Sequence, residues 1–495
     1  MSTADENHGD APPPPQPEKD NYGDFTGGEL FPIPGYEWAE VAELEPAMAA
    51  GRAVRVRGAA HAVRALSRLA FLTLRQGSST VQCVIPAAGG MARFAGGLSR
   101  ESVVDVAGVV SPPREHVRGA TQQVEIQVEK LYCINRATPN LPISVDDAAR
   151  SDEDVTRAKA AGEQLVHVGQ DKRLDNRVID LRTLANQAIF SIESEVEHIF
   201  RNVLRSEGFK SIHTPKLIGG SSEGGAAVFK LDYNGQPACL AQSPQLHKQM
   251  AVCGGLQRVY EVGPVFRAES SNTHRHLCEF TGLDMEMAIR ESYFEVCDVV
   301  DRVFVAIFDH LNKNCAKELE AINRQFPFKP LKYLRKTPRI DYEEGIRMLK
   351  EAGVHVEPMG DLNTEAEKKL GELVNAKYDT DFYMLCRYPS AVRPFYTMPC
   401  SDDPRYSNSF DVFVRGEEII SGAQRVNEYE LLKQQAEARG IDVGSIAAYL
   451  ESFKNGAPPH GGFGAGLERV VMLFCGLGNI RKTSLFPRDP KRLNP

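Results

Sequence analysis

The chain has ten cysteines, yet no two of them stand in a Cys-x-x-Cys pair. That scatter disfavours a structural zinc site or a disulfide framework and suits a reducing compartment. No run of about 18 apolar residues occurs, so no membrane span is expected. The N-terminus reads MSTADENHGD and lacks the basic and apolar stretches of a secretory signal. A more telling absence lies further in. Between Pro46 and Arg100 there is no Asp or Glu, while eight arginines are present in a chain of net charge −8. The overall charge argues against a generic nucleic-acid coat. The acid-free stretch predicts a local phosphate-contacting surface, with a solvated basic face as the plainer alternative.

At 495 residues the chain is too long for one core, and composition shifts divide it. Residues 1–28 hold Pro12 to Pro15, Pro17 and scattered acids, and read as a disordered tail without a lysine-rich run. Residues 29–136 contain short β-like runs, among them Ala53–Arg57, Phe71–Leu74, Thr80–Ile85 and Val124–Glu129. Strands of that size between Gly-rich turns predict a small antiparallel barrel of the OB-fold kind. Residues 137–172 read as a connector, with Pro139, Pro142 and a charged helix-prone stretch. Residues 173–495 read as one α+β domain. Its first helix is expected over 184–206, with Ile192, Val196, Ile199 and Val203 on the inner face and Gly208 as the C-cap. Strands are expected near 228–241, 258–287 and 382–425, and helices over 341–353, 364–376 and 427–437.

Two segments carry chemistry. The first runs from Arg267 and Glu269 through Thr273-His274-Arg275-His276 to Glu279-Phe280-Thr281-Gly282-Leu283-Asp284-Met285-Glu286. Two strands joined by a charged loop would gather these groups on one sheet face. An arginine there can grip a phosphate with two parallel hydrogen bonds. Phe280 offers a flat surface for a base, and alternation places Asp284 and Glu286 on the same side. A single Arg–Glu pair would be an ordinary surface ion pair, but so many groups along one strand pattern point to a site. The second segment, Gly461 to Met472, reads as a Gly-rich loop followed by an apolar helix beginning at Arg469. It matches neither the GxxxxGK[ST] phosphate loop nor the GxGxxG dinucleotide fingerprint.

These segments resemble motifs 2 and 3 of the class II aminoacyl-tRNA synthetases, and the helix before Pro215 resembles motif 1. RLDNRVIDLRT, GGSSEGGAAVF, AQSPQLHKQ, SGAQRV, PPHGGFGAGLERVVM and LFPRDPKR are similar to cytosolic eukaryotic aspartyl-tRNA synthetases over roughly residues 30–495. The resemblance implies a catalytic domain of antiparallel sheet flanked by helices, ATP as substrate and Mg²⁺ as cofactor. It implies that Arg267 and Arg469 act on the phosphates, with Glu269, His276, Phe280 and Glu418 also at ATP. Glu223, Gln245, Lys248, Asp284, Ser421 and Arg425 would form the aspartate pocket, and Asp411 with Glu418 would ligate Mg²⁺. Glu223 and Asp284 would suit the substrate ammonium, and Arg425 with Lys248 its side-chain carboxylate. Phe71, Gln82 and Glu125 would read the tRNA-Asp anticodon. A cytoplasmic homodimer without membrane association is also implied.

The rivals are weaker. An asparagine enzyme of the same class has no use for two cations at the side-chain end of the pocket. An ammonia-dependent asparagine synthetase shares the catalytic fold but needs no basic barrel. A catalytically dead RNA-binding paralogue predicts loss of Arg267, Arg469, Asp411 or Glu418, and all four are present. The interval from Glu286 to His460 is too short for the large insertion of the bacterial enzymes. The missing lysine-rich tail departs from the fungal and animal pattern.

Overall fold

The computed structural model describes residues 21–25, 32–46, 51–66, 69–87, 90–220 and 228–495. Contacts divide the chain into two compact units, Met1–Pro142 and Ile143–Pro495. In the first unit, strands β1 (Tyr22–Asp24), β2 (Ala53–Ala65), β3 (Leu69–Gln76), β4 (Ser79–Pro86), β5 (Val103–Ser111) and β6 (Glu125–Asn135) make one sheet. Strand β2 pairs with β3 and β5, β3 with β4, β4 in parallel with β6, and β6 with β5. That circuit closes a five-stranded barrel, the expected OB-fold. The barrel is filled by the inward half of each alternating run, including Val54, Val56, Leu72, Leu74, Val81, Cys83, Val106 and Ile126.

Two expectations for this unit need correction. Strand β1 pairs in parallel with Leu131–Cys133 of β6, so Tyr22–Asp24 belong to the sheet and not to an unstructured tail. Residues 1–20 and 26–28 of that tail lie outside the described residues. The acid-free stretch is also less of a surface than its composition suggests. Arg55 and Arg57 both reach the fully buried Asp105, at 2.5 and 2.6 Å, and Arg75 pairs with buried Glu101. The acids that neutralise these arginines come from just after the stretch: Asp105 meets Arg55 and Arg57 across paired strands, and Glu101 lies just before its strand.

In the second unit the residues expected as connector hold helices Val145–Ala148 and Asp152–Ala160, begun by Ser144 and Ser151 side chains that accept backbone N–H bonds. Most of the segment therefore belongs to this unit. An eight-stranded sheet is its centre. Its inner strands are β7 (Arg258–Phe266), β8 (Glu279–Ala288), β9 (Phe382–Cys386), β10 (Ser409–Val414), β11 (Glu417–Gln424) and β12 (His460–Gly466). The spatial order is β9-β10-β11-β12-β8-β7, with short strands Arg339–Asp341 and Lys210–Ser211 at the two edges. All pairs among the six inner strands are antiparallel.

The long helix α1 spans Leu184–Ser206, capped by Thr183 and ending where Gly208 takes φ 83°. Its buried face is Ile189, Ile192, Val196, Phe200 and Leu204; Ile199 and Val203, expected inside, are only partly covered. The true stripe follows spacings of three and four that include the aromatic at Phe200, which packs edge-on against Tyr260 and Phe463 of the sheet. Helices α2 (Gln245–Ala251), α3 (Phe294–Asn314), α4 (Ala447–Lys454) and α5 (Leu467–Phe474) complete the frame used below. The expected helices near 341, 364 and 427 are present as Tyr342–Glu351, Thr364–Tyr378 and Tyr429–Ala438.

Candidate active site

Strand β12 decides the geometry of the site. It contains Gly461, Gly462, Gly464 and Gly466, and it is a central strand rather than the loop expected from its composition. Gly464 lies opposite Asp284 and Gly462 opposite Glu286. A Cβ on Gly462 would lie 2.2 Å from the Met285 carbonyl and 2.3 Å from Glu286 Oε2; one on Gly464 would lie 2.9 Å from Asp284 Oδ1. The glycines leave room for two carboxylates on the sheet floor.

Above that floor is a cavity of about 330 Å³. It is lined by Arg267, Glu269, His276, Phe280, Glu418 and Arg469 together with Gln245, Asp284, Ser421 and Arg425. Ten residues expected at the site are therefore brought together. Arg267 lies 5.6 Å over the Phe280 ring, a cation–π contact that orients both groups. Arg469 donates to the carbonyls of Glu418 and Arg275, each at 3.1 Å. Burial and the charge of Arg469 press His276 down to about 4, so its ring is neutral at pH 7. Glu468 accepts the Thr281 amide at 2.9 Å and thereby holds the strand that carries Phe280.

The floor is a buried ion cluster. Arg425 Nε donates to Glu286 Oε1 at 2.9 Å, and Lys248 Nζ lies 3.0 Å from Asp284 Oδ1 and 3.5 Å from Glu286. Burial raises the Glu286 carboxyl, but Arg425 and Lys248 outweigh it and hold the group below its ordinary value. Gln245, Lys248 and Gln249 share one buried face of α2, three and four residues apart. The expected role of Lys248 is altered by this placement. Its ammonium is 2% exposed, donates also to the Phe463 carbonyl and does not line the cavity. It pairs with Asp284 from behind, whereas Arg425 lines the cavity. Glu223 lies outside the described residues.

Asp411 and Glu418 come to one face through a β-bulge. The β10–β11 register shifts between Val412 and Phe413, which turns Glu418 to the side of Asp411 and Ser421. Burial, then the charge of Asp411, pushes Glu418 up to about 7. Glu418, so raised and lining the cavity, fits a divalent cation with Asp411 beside it, although Asp411 itself does not line the cavity. Among the described residues no group of three or more His, Cys, Asp or Glu could enclose one, so the remaining ligands would be phosphate and water oxygens. Asp411 is also gripped at both oxygens by Arg393, at 2.9 and 2.6 Å. Arg393 lines the cavity, donates to Ser421 Oγ at 3.0 Å and lies 3.8 Å over the Tyr388 ring. Sequence reasoning missed it, and missed the pairing of Arg275 with Glu367 at 2.6 Å. Both partnerships join distant loops and elements, and no local period marks them.

In the first unit, Phe71, Gln82 and Glu125 line an open groove on the outer face of the barrel. Gln82 lies opposite Glu125 and donates to it at 2.7 Å. Phe71 is half-buried outside the barrel core, with Arg64 5.2 Å over its ring. Arg114 and Arg118 also line this groove and were not anticipated.

Phe280, Arg267 and Arg469 thus line one cavity over an antiparallel sheet, as the class II resemblance implies. Residues 169–490 match the family model for class II tRNA synthetases of the D, K and N group, and residues 54–134 match the OB-fold nucleic acid binding domain. The chain belongs to the class II aminoacyl-tRNA synthetases, and within them to the aspartate–tRNA ligase family. It is 59% identical to the cytoplasmic aspartate–tRNA ligase 2 of Arabidopsis thaliana, over 96% of this chain and 88% of that one. The aspartyl-tRNA synthetase structure from Entamoeba histolytica is similar at 43% identity and TM-score 0.88, covering 96% of this chain and 97% of that one. The asparaginyl-tRNA synthetase of Pyrococcus horikoshii, solved with asparaginyl-adenylate, is similar at 30% identity and TM-score 0.80, over 93% of this chain and 100% of that one.

Proposed function

We propose that the chain activates L-aspartate with ATP to aspartyl-adenylate and pyrophosphate, then transfers the aspartyl group to the 3′ end of tRNA-Asp. The observation that carries this reading is one cavity lined both by Arg267, Phe280 and Arg469 and by Arg425, Gln245 and Asp284. The first set suits a nucleoside triphosphate. Phe280 stacks on the base, Arg267 holds the α-phosphate and Arg469 the far phosphates. The second set suits a small dicarboxylate with one ammonium. Asp284 takes the ammonium, and Arg425 takes the side-chain carboxylate with its guanidinium, which hydrogen bonds to Glu286 and Gln245 fix in place.

Held end to end, the substrate α-carboxylate attacks the α-phosphate in line and pyrophosphate leaves. Positioning and charge stabilisation supply the rate enhancement. Glu418 and Asp411 would hold Mg²⁺, which when bound neutralises phosphate charge. The terminal tRNA hydroxyl then takes the aspartyl group and AMP departs. On the barrel, Phe71 stacks on an unpaired anticodon base while Gln82 and Glu125 read base edges.

Asparagine is disfavoured by the same cation. An amide placed against Arg425 forfeits the charge-assisted hydrogen bond that a carboxylate makes, at a cost of roughly 1.5–3 kcal/mol. The chain works in the cytoplasm as a homodimer, the dimer resting on the motif 1 resemblance of α1. Charging of purified tRNA-Asp with aspartate but not asparagine tests the reaction. A particle of single-chain mass by light scattering at micromolar concentration refutes the dimer.

A further inference from the structure

His460 is fully buried at the start of β12, does not line the cavity and has no part in the chemistry above. Its two nitrogens take their roles from their partners, because the Pro458 carbonyl at one end can only accept and Arg425 at the other can only donate. Gln249 Nε2 lies 3.1 Å from His460 Nε2, and an amide nitrogen can only donate. His460 Nε2 therefore accepts, and the ring proton sits on Nδ1, 2.8 Å from the Pro458 carbonyl that receives it. Burial lowers the pKa of this ring, which keeps it neutral.

The order continues toward the site. With its nitrogen committed to His460, Gln249 must turn Oε1 the other way. That oxygen accepts from Tyr449 of α4 at 3.1 Å and from Gln245 Nε2 at 3.0 Å. Gln245 is thereby fixed with its own Oε1 toward Arg425, whose Nη2 donates to it at 3.3 Å. Arg425 Nε and Nη2 are held by Glu286 and Gln245, and Nη1 has no hydrogen-bond partner among the described residues. Every bond in the chain runs one way, and reversing any amide sets two donors face to face.

We infer that His460 is a positioning residue for substrate specificity: through Gln249 and Gln245 it fixes the direction in which Arg425 offers its guanidinium to the substrate side-chain carboxylate. This rests on the aspartate reading of the cavity. A histidine serves here because its ring places a donor for Pro458 and an acceptor for Gln249 on opposite sides, at positions a backbone-anchored strand residue can reach.

The test uses ATP–pyrophosphate exchange by the full chain. His460→Leu removes the acceptor and frees Gln249. Its KM for aspartate rises about tenfold or more, the size of one lost hydrogen bond to a charged group. Its KM for ATP is unchanged, and discrimination against asparagine falls. His460→Gln keeps an acceptor where the ring nitrogen stood and restores most of the aspartate KM. Tyr449→Phe, which deletes one oxygen and spares the packing, gives a smaller rise of the same kind and covers the case in which His460→Leu does not fold. A merely structural role predicts lower kcat and melting temperature without a split between the two KM values. That result, or no rescue by His460→Gln, overturns the inference. Absence of aspartate-dependent exchange in the wild-type chain overturns the functional reading itself.

Discussion

At the residue scale, the floor of the proposed site is charge-balanced and holds Arg425 in one orientation. Lys248 and Arg425 balance Asp284 and Glu286, so a carboxylate entering beside Arg425 meets a group already oriented by two partners. Arg425→Leu should abolish aspartate-dependent pyrophosphate exchange while ATP binding, followed by calorimetry, persists; normal exchange kinetics would refute the assignment. A second prediction concerns Glu193 on α1, where one carboxylate oxygen is buried without a partner. Burial, then Glu468 and Glu197, raises this carboxyl to about 8 from an ordinary 4.5. A carboxyl raised on folding holds its proton more tightly in the folded state. Its contribution to stability is therefore complete below about pH 4.5 and is lost as pH rises to about 8. Glu193→Gln should stabilise the fold by about 1–2 kcal/mol at pH 8.5 and have no such effect near pH 4. Thermal melts across that range check it, and a pH-independent difference would count against the buried-carboxyl account.

At the element scale, β12 shows what composition conceals. Its glycines read as a flexible loop, yet they are a sheet centre with space carved for Asp284 and Glu286. Gly462→Ala should destabilise the domain by about 1–3 kcal/mol or more, because the methyl meets a carbonyl and a carboxylate that cannot both retreat. Gly466→Ala, whose nearest contacts would be 3.7 and 3.8 Å away, should be close to neutral for melting temperature. The alternating runs of β2 to β6 and the capped helix α1 were legible because one buried face imposes a period. The expected inner face of α1 slipped at Ile199 and Val203 because an aromatic, Phe200, took the place in the core. Arg393 was not legible: an arginine in a loop carries no period, and only tertiary packing brings it to Asp411. Arg55, Arg57 and Arg75 misled for the related reason that their acids lie on a different strand or just before it.

At the scale of the whole molecule, the two units carry separable tasks. The barrel groove holds Phe71, Gln82 and Glu125, and the cavity of the second unit is lined by the groups proposed for adenylation. Phe71→Ala should weaken tRNA charging by about 1–3 kcal/mol of lost stacking and leave pyrophosphate exchange intact. Equal loss of both would place Phe71 in the fold and not in recognition. Substrate choice, in contrast, belongs entirely to the catalytic unit and should survive without tRNA. The most direct measurement is therefore ATP–pyrophosphate exchange by the wild-type chain, free of tRNA, with each of the twenty amino acids in turn. The account predicts exchange with aspartate and, under the same conditions, none with asparagine. Exchange with asparagine at a comparable rate, or with no amino acid at all, would contradict it.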